Sequence, residues 1–76
     1  MKKTPFYSVH KDFLQDGPVY GHEEFLGLSR EAAYSKFHQL LASVYASSDP
    51  WSHVFIVRDD GVFESGEVVD KRISET

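Results

Sequence analysis

Ser8, His10 and Asp12 stand at alternate positions near the start of the chain. Their types are those of a hydrolase triad: a nucleophile, a general base, and a carboxylate that orients the base. In an extended strand, alternate residues project to the same face, so the three would share one surface. They would also stand about 6.6 Å apart along the chain, which makes direct hydrogen bonds awkward for such short side chains. No G-x-S-x-G elbow occurs to expose a serine beside an oxyanion hole. The expectation is therefore the polar face of a half-exposed strand, with no catalytic residue.

The four histidines, His10, His22, His38 and His53, raise the question of a metal. His22-Glu23-Glu24 begins like a zinc-binding helix, but the second histidine of H-E-x-x-H would have to stand where Leu26 is. A hairpin register could still bring His10 near His22. No pair has the helix or loop spacing that metal sites favour, so ordinary surface histidines, with no metal ligands and no cofactor, are the expectation. Phosphate chemistry has no carrier either: Gly17, Gly21 and Gly27 are scattered, and neither G-x-x-x-x-G-K-[ST] nor G-x-G-x-x-G occurs.

Two surpluses remain. Asp59, Asp60, Glu64, Glu67 and Asp70 occur without an intervening base and could form an edge that docks on a basic partner. Aromatic residues make up 14% of the chain, more than so small a core can absorb. Tyr34, His38 and Tyr45 fall along the margin of a helical apolar stripe, while Phe6, Tyr20, Phe25 and Trp51 have no obvious place. Tyrosine and tryptophan are enriched where interfaces concentrate their energy. Tyr34, His38, Tyr45, Trp51, Glu64 and Glu67 are therefore the candidate partner-binding residues.

The elements that must position these groups centre on the segment from Leu28 to Pro50. Ser29 suits an N-cap, Glu31 lies in the first turn where negative charge is favoured, and Leu28 with Ala33 could form a staple. Ala33, Phe37, Leu40, Leu41 and Val44 then recur on one helical stripe. Pro50 stops the helix by about Ser48.

Such a helix needs a surface to cover its stripe, and the rest of the chain reads as sheet. Tyr7, Val9 and Phe13 alternate with Ser8, His10 and Asp12 in a first strand from Phe6 to Leu14, with Lys11 as the exception. A turn at Asp16-Gly17 leads to a second strand from about Val19 to Leu26, weakened by Gly21 and Glu23-Glu24. The run from His53 to Val57 should be a central strand. Asp59-Asp60-Gly61 then turns it into a fourth strand, Val62 to Val69. The preferred register sets Val57 opposite Phe63 and buries Phe55, Val57 and Phe63 together. Residues 1–5 and 71–76 read as loose ends.

The expectation is one α+β domain in the order β-β-α-β-β, or β-α-β-β if the second strand fails: a mainly antiparallel sheet of three to four strands with one helix on one face. At 76 residues, the core supplies only a few kcal/mol, so oligomerisation would help. The absence of cysteine excludes disulfides, thiolate metal cages and a cysteine nucleophile. The start is too polar for a signal peptide and no run reaches transmembrane length, which points to a cytoplasmic protein without membrane partners. A net charge of −4 without a basic cluster disfavours direct nucleic-acid binding.

The leading expectation is a non-catalytic interaction domain, self-associating as a homodimer or binding a protein partner through an aromatic-bearing face or a sheet edge. One alternative is a small acidic inhibitor or regulator that occupies a basic groove of a nucleic-acid-processing protein. A second is a histidine-dependent metal or hydrolase site.

Overall fold

Ser29 opens the helix as its type requires: its Oγ accepts a hydrogen bond from the Ala32 N–H at 3.2 Å, satisfying a donor that no earlier carbonyl reaches. A computed structural model describes residues 5–15 and 20–72. The turn expected at Asp16-Gly17 and the expected loose residues 1–4 and 73–76 lie outside them. The helix, α1, runs Arg30–Ala46. It ends as Ser47 turns back, its N–H donating to the Val44 carbonyl at 3.2 Å and its Oγ to the same oxygen at 2.9 Å. Among the described residues, no helix is long and apolar enough to cross a membrane.

The strands are β1 (Tyr7–Leu14), β2 (Tyr20–Leu28), β3 (Trp51–Arg58) and β4 (Phe63–Asp70). They form a single antiparallel sheet in the order β2-β1-β3-β4. Consecutive strands make two hairpins, and pairing of β1 with β3 joins them. The helix connects the hairpins and lies across one face. The second strand therefore forms despite Gly21 and the paired glutamates. Opposite Gly21 stands Phe13, whose ring occupies the space a Cβ would take, 2.3 Å from its ideal position.

Alternation sorts the strands cleanly. Tyr7, Val9, Val54, Ile56 and Val69 point at the helix and meet its stripe of Ala33, Phe37, Leu40, Leu41 and Val44. Val9, Val44, Val54 and Ile56 are wholly buried, each burial contributing about 1.5–3 kcal/mol. Lys11 shares this face and is only 9% exposed, its ammonium lying 4.8 Å from the centre of the Phe13 ring. A long aliphatic stem lets a lysine cover apolar surface in this way. Ser52 is buried on the same side, and its hydroxyl has no hydrogen-bond partner among the described residues.

Each hairpin carries a bulge. Between the pairs Tyr7–Leu28 and Val9–Phe25, β2 holds an extra residue, and Gly27 takes the positive φ of 70° that this irregularity needs. Between Ile56 and Val57 the register of β4 shifts likewise, with Glu64 as its extra residue.

Two expectations need correction. Val57 does face Phe63, and Phe55 does lie beside it, but the group is not buried: Phe63 is 58% exposed, on the sheet face opposite the helix. Alternation sets which residues share a side, and the single helix covers only one side. Lys71, read as part of a loose tail, is held: its N–H donates to the Pro50 carbonyl at 2.8 Å and its Nζ reaches the end of α1.

Candidate functional site

With α1 on one face, the other carries Ser8, His10, Asp12 and Leu14 from β1, and Tyr20, His22, Glu24 and Leu26 from β2. Trp51, His53, Phe55 and Val57 come from β3, and Phe63 and Val68 from β4. Tyr20, Leu26, Phe63 and Val68 are each more than half exposed, and the side chains of β1 and β3 are half-buried between them.

Aromatic rings form a connected row. Tyr20 lies 6.1 Å from Trp51, Trp51 6.3 Å from His53, His53 4.6 Å from Phe55, and Phe55 6.3 Å from Phe63, all between ring centres. These separations fall within the range for favourable ring contacts. Gly66 lets Phe63 settle on the sheet, since a Cβ there would stand 2.7 Å from the Phe63 ring. No strand residue on this face is a lysine or arginine; its charges come from Asp12, Glu24 and Asp70.

The β1–β2 half is polar. His10 faces Glu24 across the ladder, and Asp12 faces His22. Ser8 Oγ and His10 Nε2 stand 2.8 Å apart, while His10 Nδ1 is 3.6 Å from Glu24 Oε2. His22 Nδ1 is bonded to Asp12, and His22 Nε2 is 3.8 Å from the same Glu24 oxygen. The Asp12 hydrogen bond holds the His22 imidazole above its ordinary pKa. The two histidine rings lie 5.8 Å apart, and His10 stacks on Phe55 at 5.0 Å.

The spacing that made a direct bond between alternate strand residues look awkward does not prevent one here. The twist of the strand and the reach of an imidazole close the Ser8–His10 gap, but Asp12 turns to His22, so the sequence triplet is not one unit. Ser8 also reaches the Val57 carbonyl at 3.3 Å. Because β1 is paired on both sides, its backbone N–H groups are engaged in ladders rather than free to stabilise an oxyanion.

The residues singled out as partner-binding do not form one surface. Trp51 belongs to the open face. Tyr34 and His38 lie on α1, their rings 6.4 Å apart, with the Arg30 guanidinium 4.9 Å from the Tyr34 ring centre. Tyr45, also on α1, donates from its hydroxyl to Glu67, and Glu64 meets Arg30 at 3.5 Å. Of the other acids, Asp60 accepts from Arg58, Asp70 from Arg72, and Asp59 from the Phe6 N–H at 3.3 Å. The arginines beside them hold the Asp60 and Asp70 carboxyls below the usual carboxylate range.

The sequence did not reveal Phe55, Phe63, Leu26 and Val68 as residues of an open face. Their parity with Trp51 along the ladders was the available signal. A shallow depression of about 200 Å³ lies at the Tyr7–Leu28 end, lined by Phe6, Tyr7, Ser8, Leu26, Gly27 and Asp59. Compared with known proteins, the chain matches no family model, no curated protein and no solved structure.

Proposed function

We propose that the protein is a non-catalytic interaction module that joins a second copy of itself through the open sheet face. The observation that carries this reading is the row Tyr20, Trp51, His53, Phe55 and Phe63, flanked by Leu26, Val57 and Val68, on a face that no element of the described chain covers. Contiguous exposed apolar area of this kind marks association surfaces.

Size is consistent with it. Strands of eight or nine residues, spaced about 4.8 Å apart, give a face of roughly 500 Å². Two such faces in contact bury on the order of 1,000 Å², the lower bound for a specific interface. The edge strands carry Glu23 and Glu24 on β2 and Glu64 and Glu67 on β4, so pairing like edges would bring acids together. No strand residue of the open face is a lysine or arginine, so its aromatics are poorly suited to stacking nucleic-acid bases, which need cations for the phosphates. A cysteine-free chain suits a reducing, cytoplasmic setting. The acidic-regulator reading draws less support, because Asp59, Asp60, Glu64, Glu67 and Asp70 all have partners within the chain.

Sedimentation equilibrium over a wide concentration range, at low and high salt, tests the proposal. The expected result is a reversible dimer that persists at high salt, because apolar burial is not screened as charge pairing is. Phe55→Asp should abolish it while thermal unfolding stays cooperative. A strict monomer at the highest concentration overturns self-association.

A further inference from the structure

We propose that His10, His22 and Glu24 form a binding site for a divalent transition-metal ion, zinc being the ion that this donor set suits. Ligand atoms from the three residues lie within 4.8 Å of one another. Two imidazole nitrogens and one carboxylate oxygen are the donors of three-ligand zinc sites, which leave a further position open.

The orientation of the rings carries the argument further than proximity alone. Each imidazole has one nitrogen engaged away from Glu24 and the other directed at it. In His10, Nε2 is held by Ser8 Oγ at 2.8 Å, and Nδ1 lies 3.6 Å from Glu24 Oε2. In His22, Nδ1 is held by Asp12, and Nε2 lies 3.8 Å from that oxygen. Ligands bound at about 2.0–2.1 Å in tetrahedral geometry stand roughly 3.3 Å apart. Each Glu24 contact needs to close by only a few tenths of an ångström, and the two imidazole nitrogens, within 4.8 Å of each other, need to draw together by up to about 1.5 Å to surround one ion.

The partners on the outer nitrogens are also those a metal site uses. A carboxylate behind a ligating histidine fixes its tautomer and strengthens it as a donor, and Asp12 stands in that place behind His22. Ser8, two residues before His10 on the same face of β1, holds the outer nitrogen of His10 and so orients its ring. All five residues come from two paired strands, so backbone ladders fix their spacing. The His22 and Glu24 side chains are about half exposed, which leaves an approach for the ion and room for a water or an external donor in the remaining position. Among the described residues, His53, which packs against Trp51 and Phe55, and His38, on the helix, belong to no such group of three ligand atoms.

The site does not depend on self-association, and its test separates the two. Zinc chloride is titrated into the full chain by calorimetry near neutral pH, at a protein concentration below the onset of any dimer, and melting is followed with and without zinc. Binding should saturate at one ion per chain and raise the melting temperature. His22→Ala and Glu24→Gln, both at exposed side chains, should each weaken binding at least tenfold with the circular dichroism spectrum unchanged. Asp12→Asn, which removes no ligand, should weaken it about 10-fold or more, the usual cost of losing an outer-shell partner. His38→Ala and His53→Ala should bind as the parent does. In NMR spectra, zinc should move the imidazole signals of His10 and His22 together. Absence of heat and of any melting shift overturns the proposal, as does binding that survives His22→Ala or is lost with His38→Ala.

Discussion

The Lys71 ammonium donates to the carbonyl of Val44 at 2.8 Å and also to that of Ser47. The last turn of α1 contains no basic residue of its own, and its terminal carbonyls carry the negative end of the helix dipole. A lysine just beyond β4 supplies the missing cation and ties the end of the sheet to the end of the helix. Lys71→Met keeps the stem and removes the charge. It should lower stability by an amount at the low end of the about 1.5–3 kcal/mol that a hydrogen bond to a charged group contributes. Urea unfolding should show a reduced midpoint with an unchanged slope. An unchanged midpoint would mean that the ammonium contributes nothing to the cap.

Tyr45 offers a pH test of the link between α1 and β4. Its hydroxyl donates to the Glu67 carboxylate, and that bond holds the phenol above its ordinary pKa. The folded value therefore exceeds the unfolded one. The contribution to stability is fully present below the unfolded phenol value of about 10 and is lost as the pH rises through the folded value. In an absorbance titration of tyrosinate, Glu67→Ala should move one tyrosine to lower pH. The stability difference between the parent and this variant should shrink in alkali. Coincident titration curves would show that the pair does not persist in solution.

The fold was legible because each element carries its own punctuation. Ser29 and Pro50 bracket the helix, Ala33 to Val44 mark its buried stripe, and Asp59-Asp60-Gly61 turns the second hairpin. The pairing of β1 with β3 was not legible, since alternation shows which way a side chain points but not which strand lies beside it. For the same reason Phe55 and Phe63 were grouped correctly and assigned to the wrong environment. The approach of His10 to His22 was legible as one outcome of a hairpin register, but Glu24 as the third member was not, because its place beside them is set by pairing across two strands rather than by spacing within one helix or loop. Ideal strand geometry makes the Ser8–His10 bond look awkward because it leaves out twist and side-chain reach.

Gly66→Ala separates the role of the aromatic row from that of the fold. The space above Gly66 is filled by the Phe63 ring, which an added Cβ would meet at 2.7 Å, while the Phe55 Cβ lies at 3.0 Å. The neighbour that must give way is the Phe63 ring, since Phe55 is fixed by its strand. Because Phe63 is 58% exposed, its ring can swing into solvent without opening a cavity in the core. The loss of stability should therefore lie toward the low end of the about 1–3 kcal/mol that overpacking costs. Association should suffer more, because the displaced ring no longer lies flat beside Phe55 and would project into the facing copy. Sedimentation equilibrium should show the dimer weakened at least tenfold, equivalent to about 1.4 kcal/mol, while zinc binding at His10, His22 and Glu24 is retained. If the dimer is unaffected, the β4 end of the row lies outside the contact, and the interface must centre on Tyr20 and Trp51 at the opposite end.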